Sequence, residues 1–293
     1  MRLDDEQESQ NVEDLRDSSG GFAGGMGRGS MSMGKIMLFW PLIKMLLRTK
    51  FGWALIAIGA FVYFVNPMGL LSDGASHTHT KTNENEAVFI KKVLKTTEDV
   101  WSQILPKYGY KYTKPIMVLY RGHTVSGCGM ASSQVGPFYC PVDKKVYLDL
   151  GFFDELRRVH HARGDFAQAY VLAHEIGHHV QDILGTLKKV HALQQRALRR
   201  GNKTTSNHLQ IPVELQADCY AGIWAHYMKG RLDKGDIDEA LNAASRIGDD
   251  TLQKEAQGYV VPDSFTHGTS KQREKWFYEG YKSGDLRACN TFQ

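Results

Sequence analysis

Two histidines and a glutamate at helical spacing are the residues of this sequence best suited to chemistry. Residues 174–178 read His-Glu-Ile-Gly-His, and the preceding segment FAQAYVLA is a good helix former. Because four residues make close to one helical turn, His174 and His178 project from one face and can bind a single metal ion. Glu175 lies beside them and can act as a general base towards water at that metal. A surface helix with incidental histidines is the alternative.

A catalytic zinc site also needs a third protein ligand and an open coordination position. Glu214 and Asp218 lie four residues apart in the apolar helical stretch VELQADCYAGIWAHY, so they share one helix face. Two acids on such a helix are costly to bury unless they bind a cation or a partner. We therefore expect Glu214 to be the third ligand and Asp218 to accept a hydrogen bond from the non-coordinating nitrogen of His174. An exposed acidic pair is the alternative, and His179 is expected to point away from the metal.

These motifs resemble those of a known family. The segments HEIGHHVQ, ELQADCYAGIWA, THGTSKQREKWF and VGPFYCPVDKKVYLDLGFF are similar to the bacterial family described as "putative neutral zinc metallopeptidase", the YpfJ-type membrane-anchored proteins. The similarity extends over nearly the whole chain. The Glu-x-x-x-Asp arrangement also resembles that of gluzincins, in which the glutamate binds zinc and the aspartate supports a histidine. The resemblance implies these same roles for Glu214 and Asp218.

A late histidine is a further candidate, which rests on resemblance alone. His267 lies in THGTSKQR, and Arg273 follows it six residues later. This spacing resembles the His-to-Arg segment of membrane-linked gluzincins of the CAAX-protease type, in which the histidine stabilises the oxyanion. The resemblance implies a catalytic role for His267, and an ordinary loop histidine is the alternative.

Together these residues predict a zinc-dependent endopeptidase that acts on a peptide or protein substrate. Zinc lowers the pKa of its water to about 7 and polarises the scissile carbonyl, while Glu175 transfers the proton to the leaving amine. Two other functions stay open: a non-catalytic zinc-binding membrane adaptor or chaperone, and a zinc amidase acting on cell-wall amides. The intact Glu175 favours an enzyme, but the sequence does not separate the two kinds of amide. A net charge of only +4 gives no case for nucleic acid.

Four cysteines are present, and none forms a Cys-x-x-Cys pair, so a cysteine-type zinc site is not expected. Cys128 and Cys140 are predicted to form a disulfide because glycines and a proline between and beside them let the chain turn back. Cys219 and Cys289 are the candidate second pair, with a buried thiol at Cys219 as the alternative. Such pairing needs an oxidising compartment.

A transmembrane helix is predicted over residues 51–71, which carry no charge and would span roughly 30 Å as a helix. A buried core helix is the alternative. Basic residues precede the span and are absent directly after it, which predicts a cytoplasmic N-terminus and an external catalytic domain at a bacterial inner membrane. The apolar segment 36–47 is short and interrupted, so we expect it to be interfacial, and a second crossing that forms a hairpin is the alternative.

The predicted fold is α+β and mainly helical, a zincin-like metallopeptidase domain with a small β-sheet. Strands are predicted at 115–120 and 145–150, and the second could be an edge strand that pairs with an extended peptide or an ordinary core strand. The predicted organisation is a disordered Gly-rich cytoplasmic tail (1–34), a basic interfacial segment (35–50), the transmembrane helix (51–71), a linker (72–85) and the metallopeptidase domain (86–293). Helices are expected near 86–104, 152–163, 165–184, 186–199, 210–229, 234–246 and 269–283.

Overall fold

The α+β, mainly helical class predicted from the sequence is confirmed by the computed structural model. It describes residues 1–17, 81–132 and 135–292. The helices of these residues are α1 (Lys81–Ile104), α2 (Gly151–Arg158), α3 (Asp165–Ile183), α4 (Thr186–Arg199), α5 (Lys203–Tyr227), α6 (Asp236–Arg246), α7 (Asp249–Gln257) and α8 (Ser270–Ser283). The strands are β1 (Val12–Asp14), β2 (Ile116–Tyr120), β3 (His123–Ser126), β4 (Gly129–Ser132), β5 (Phe138–Cys140) and β6 (Lys145–Asp149).

The strands form one four-stranded sheet and one hairpin. The sheet has the order β1-β2-β6-β5, in which β2 is parallel to both β1 and β6, and β5 is antiparallel to β6. Strands β3 and β4 pair separately as an antiparallel hairpin. The predicted peptide-binding edge over 145–150 is therefore wrong, because β6 has a neighbour on each side. The core-strand alternative is correct, and the edge strands are β1 and β5.

The first seventeen residues contradict the expected disordered tail over 1–34. Leu3 is buried in the main apolar core, and β1 pairs with β2 in the register Val12↔Met117. The tail was predicted from the glycine-rich composition of its second half, whereas the polar residues of the first half find partners far along the chain. Residues 18–34 lie outside the described residues.

The structure leaves the predicted transmembrane helix untested. Among the described residues, none of the helices is both long enough and apolar enough to cross a membrane. The predicted segments 35–50 and 51–71 lie outside those residues, as does most of the linker 72–85. Helix α1 begins at Lys81, within the predicted linker, so the folded domain starts earlier than residue 86.

Close helix contacts position the centre of the domain. A Cβ atom built on Gly177 of α3 would lie 2.9 Å from the carbonyl oxygen of Ala217 on α5, so only glycine allows this approach. On the other side of α5, a Cβ on Gly280 of α8 would lie 1.9 Å from the carbonyl oxygen of Cys219. Around these contacts large side chains pack densely, such as Phe166 stacked 5.5 Å from Trp224. Burying each such side chain contributes roughly 1.5–3 kcal/mol.

Both expected cysteine pairs are disulfides in the structure. Cys128 and Cys140 join the β3–β4 hairpin to the end of β5. Cys219 and Cys289 join α5 to the segment that follows α8. In the chain-entropy account, crosslinks of this kind stabilise a fold by about 3–4 kcal/mol each, more for the longer loop.

Candidate metal centre

Three donor side chains from α3 and α5 converge on one point. The Oε2 atom of Glu214 lies 3.2 Å from Nε2 of His174 and 3.4 Å from Nε2 of His178. The two imidazole rings stand nearly perpendicular, with centroids 4.8 Å apart. The three donor atoms all lie within 4.8 Å of one another. The structure therefore brings together the three residues that the sequence predicts as metal ligands.

The chemistry of these donors fits zinc. A tetrahedral zinc ion with ligand distances of about 2.0–2.2 Å separates its ligand atoms by about 3.3 Å, close to the two separations observed here. Two imidazoles and one carboxylate are also the ligand set of a known class of catalytic zinc sites. Among the described residues, no fourth His, Cys, Asp or Glu joins this group.

His174 is fixed by a buried network that uses the predicted Asp218. Nδ1 of His174 lies 2.8 Å from Oδ1 of Asp218. Because the carboxylate only accepts, Nδ1 carries the proton and Nε2 presents its lone pair towards the metal position. Asp218 also accepts hydrogen bonds from Tyr170 Oη at 2.5 Å and from the guanidinium of Arg273 at 2.9 Å. This network orients the ring of His174.

The electrostatics of the network keep Asp218 ionised. Burial raises the pKa of Asp218, but Arg273 and His174 outweigh it and bring the pKa to about 2. Burial lowers the pKa of His174, whereas the charges of Asp218 and Glu214 raise it to about 9. For Glu214 the pKa falls well below its usual range, because His178 and His174 outweigh the effect of burial. Asp218 and Glu214 thus stay ionised beside the two histidines.

The other two ligands are held in the same way. Nδ1 of His178 lies 2.9 Å from Oε1 of Gln181, whose amide nitrogen donates to the carbonyl of Val213 at 2.7 Å. Gln181 therefore accepts from Nδ1–H, which again leaves Nε2 for the metal. Gln210 donates to Oε1 of Glu214 at 2.7 Å, and the other carboxylate oxygen faces the histidines.

Glu175 stands beside the three ligands and has the properties of a general base. Its side chain is almost fully buried, and this burial raises the pKa of the carboxyl group. The charges of the two neighbouring histidines and a backbone hydrogen bond from Tyr139 act in the opposite direction. A carboxylate whose pKa is raised by burial is a stronger base than one in water.

An open cavity of about 880 Å³ reaches the ligands and Glu175. Strand β5 forms part of its wall through Phe138 and Tyr139, and the flanking Pro137 and Pro141 also line it. Since β5 is the edge of the sheet, one side of its backbone has no strand partner among the described residues. The cavity therefore has the ligand group, Glu175 and this edge strand in its wall.

His267 lies in the cavity wall and is held by a residue that the sequence did not indicate. Nδ1 of His267 lies 3.1 Å from Oδ1 of Asp249. Oδ2 of Asp249 accepts from the backbone N–H groups of Thr266, His267 and Gly268 at 2.6–3.0 Å. The side chain of His267 is 49% exposed, so Nε2 is free to meet a ligand in the cavity. The carboxylate of Asp249 therefore fixes both the backbone of residues 266–268 and the ring of His267.

His179 points away from the metal position, as expected. It is buried, with Nδ1 3.1 Å from the hydroxyl of Tyr139 and Nε2 2.6 Å from the carbonyl oxygen of Thr113. Burial lowers its pKa, so the neutral ring links α3 to the segment before β2 and to β5.

The sequence did not indicate several of the residues that support the ligands and His267. Tyr170, Gln181 and Gln210 each lie one helical turn from a ligand, so the spacing that revealed His174 and His178 could have indicated them. Asp249 could not be found this way, because it binds a loop eighteen residues away.

Two histidines and a glutamate, supported by buried hydrogen-bond partners and facing an open cavity, form a donor set that suits zinc. The chain belongs to the family described as "putative neutral zinc metallopeptidase", whose model matches residues 1–292.

The relatives of the chain carry no established activity in their names. It is 47% identical over 300 aligned positions to a protein of Escherichia coli called Uncharacterized protein YpfJ, covering 100% of this chain and 99% of that protein. It is 43% identical over 210 positions to the Uncharacterized protein Mb2605 of Mycobacterium bovis, covering 67% of each chain. The same figures apply to Rv2575 of Mycobacterium tuberculosis. No solved structure matches the chain.

Proposed function

We propose that this protein is a membrane-associated, zinc-dependent endopeptidase. The observation that carries the proposal is the convergence of His174, His178 and Glu214 in the wall of an open cavity, with Glu175 beside them. These three residues would hold Zn²⁺. When bound, the ion would supply Lewis-acid chemistry, activating a water molecule and polarising the scissile carbonyl.

The protein residues have distinct roles in hydrolysis. The carboxylate of Glu175 accepts a proton from the attacking water and later delivers it to the leaving nitrogen. In its doubly protonated form, with Nδ1–H donating to Asp249, His267 donates Nε2–H to the oxygen on which negative charge develops. Asp249 holds Nδ1 of that ring, and Asp218 with Arg273 holds the ring of His174. These contacts fix the geometry before the substrate arrives.

Strand β5 supports a peptide as the substrate. An extended chain can add to the free edge of β5 by backbone hydrogen bonds, a common mode of peptide recognition. The backbone of Tyr139 on this strand hydrogen-bonds with Glu175, so β5 lies directly beside the proposed general base. This arrangement favours a peptide over a cell-wall amide that has no extended backbone.

The open site favours an enzyme over a zinc-binding adaptor. A structural zinc site is closed by four protein ligands and needs no base. Here the ligands face a cavity of about 880 Å³, and a carboxylate that is not part of the ligand group is buried beside them. Burial raises the pKa of this carboxyl group, which suits it to accept a proton during catalysis.

The disulfides support an external location for the domain. Both cysteine pairs are oxidised, which is typical of proteins outside the bacterial cytoplasm. We propose an external catalytic domain that is attached to the inner membrane through the apolar residues 51–71.

Glu175→Gln tests the proposed mechanism. The amide keeps the size of the side chain but cannot accept the proton, so turnover of casein and of a quenched peptide library should fall by about 100- to 10,000-fold. Zinc content, measured by mass spectrometry of the metal, should stay at one per chain.

Glu155→Gln is the matched control, since Glu155 is exposed on α2 and should leave turnover unchanged. A Glu175→Gln protein with wild-type turnover and bound zinc would contradict the role of Glu175 as base. A zinc-loaded wild-type protein that cleaves neither substrate would contradict the endopeptidase function itself.

A further inference from the structure

The first seventeen residues are integrated into the catalytic domain. Strand β1 extends the sheet in parallel with β2, and the pairing continues at both ends. The amide of Met117 donates to the carbonyl of Asn11 at 2.9 Å, and the amide of Leu15 donates to that of Leu119 at 2.7 Å. This segment therefore covers the edge of the sheet opposite to β5.

A buried carboxylate in α1 depends on the same segment. Glu98 is only 1% exposed, and its Oε1 accepts hydrogen bonds from Ser9 Oγ at 2.5 Å and from Asn11 Nδ2 at 2.8 Å. Its other oxygen pairs with Lys114 at 3.0 Å. Removing the first seventeen residues would take away two of these donors, and leaving a buried carboxylate short of partners is expensive.

The two ends of the intervening stretch also meet. Arg16 has a side chain only 3% exposed, and its Nη1 lies 3.0 Å from Oε1 of Glu84 in the first turn of α1. Residues 18–80 therefore leave the domain and return to it at neighbouring points. A chain that crossed a membrane once between Arg16 and Glu84 would have these ends at least about 30 Å apart, on opposite faces.

We propose that residues 1–17 lie on the same side of the membrane as residues 81–292, and that the stretch between them crosses the membrane an even number of times. This inference replaces the single crossing with a cytoplasmic N-terminus that the sequence predicted. It does not depend on the catalytic proposal, because it rests only on contacts made by the N-terminal segment. The sequence contains two apolar segments in that stretch, 36–47 and 51–71, which match an out-and-back path.

Residues 1–17 and the domain have to lie on the same side of the membrane whether β1 belongs to the same molecule or to a second copy. If β1 of one molecule docked on the domain of a second copy, both would still have to share a compartment. The contacts of the N-terminal segment are therefore inconsistent with any odd number of membrane crossings.

Cysteine labelling in intact cells tests the proposal on the full chain. The four natural cysteines are paired, so the wild type provides an unlabelled background. Gln7→Cys places one thiol at an exposed position of the N-terminal segment, and Thr204→Cys places one at an exposed position of the domain. A bulky, membrane-impermeant maleimide is added before and after the membrane is permeabilised.

Both variants should be labelled to the same extent under each condition. Labelling of Thr204→Cys in intact cells together with protection of Gln7→Cys until permeabilisation, or the reverse, would overturn the proposal. Gln10→Cys, also exposed, repeats the measurement if Gln7→Cys does not accumulate. Each purified variant should retain the zinc content of the wild type, which verifies that the labelled protein is folded.

Discussion

The ligand residues form a centre in which the non-coordinating atom of every ligand has its own partner. Asp218 holds His174, Gln181 holds His178 and Gln210 holds Glu214, with contacts of 2.7–2.9 Å. Partners of this kind fix both tautomer and orientation and raise metal affinity. These hydrogen bonds therefore orient all three side chains towards the proposed metal position.

Substitution of the ligands should remove zinc. We expect His174→Ala and Glu214→Ala to reduce the metal content from one zinc per chain to nearly none, because two remaining ligands bind zinc weakly. His208→Ala is the control, since His208 is exposed on the same helix as Glu214 and should leave zinc in place. Metal analysis after dialysis decides the matter, and full occupancy in either ligand variant would exclude that residue as a ligand.

His267 should act on the reaction and leave the metal in place. Removal of one donor to a developing oxyanion typically costs about 100- to 1,000-fold in turnover, so His267→Ala should lower kcat by that order with little change in KM. Asp249→Asn should also lower kcat, because it weakens the hydrogen bond to Nδ1 of His267.

Asp263→Asn, at an exposed position of the same loop region, should have no effect. Equal kcat values for His267→Ala and the wild type would show that His267 is an ordinary loop histidine. Unchanged zinc content separates this result from loss of the metal centre.

At this scale the sequence predicted which side chains converge, because helical spacing links residues within one turn. His174, Glu175 and His178 lie on one helix, and Glu214 and Asp218 on another. Arg273 appeared in the sequence analysis only as part of a resemblance, and its bidentate contact with Asp218 could not be foreseen. Such a contact depends on how α8 packs against α5, which no local pattern specifies.

Among the elements, the approach of α3 to α5 determines whether the site exists. Gly177 sits within the His-Glu-Ile-Gly-His motif and touches the backbone of Ala217, one turn after Glu214. A longer side chain here would push the third ligand away from the two histidines.

Gly177→Val should therefore weaken both the fold and the metal centre. Overpacking of this kind costs typically about 1–3 kcal/mol of unfolding free energy, and zinc affinity should fall with it. Chemical denaturation and zinc titration measure the two effects. Gly230→Ala is the control, because a Cβ atom there meets nothing within 4 Å. A Gly177→Val protein with wild-type stability and zinc affinity would contradict the importance of this contact.

The sequence predicted most helices but placed some boundaries wrongly. Helix α5 begins at Lys203, although the apolar pattern predicted a start near 210 and Pro212 lies inside the helix. Its first turns are polar and give no periodic signal, while the side chain of Asn202 caps them by accepting from the amide of Thr205. Strands β1 and β5 were missed because three residues are too few for an alternating pattern.

At the scale of the whole molecule, the two edges of the sheet have different surroundings. Strand β1, from the beginning of the chain, lies at one edge. Strand β5 lies at the other edge, beside the cavity.

The position of β1 also determines the order in which the molecule can fold. Val12 pairs with Met117, and Ser9 with Glu98, so the N-terminal segment has no partner until about a hundred later residues have been synthesised. Contacts between residues so distant in the chain form slowly, since a long loop must close before they contribute stability. Until then β2 presents an unpaired edge. Pairing of β1 with β2 is therefore expected to be slow compared with the formation of the individual helices.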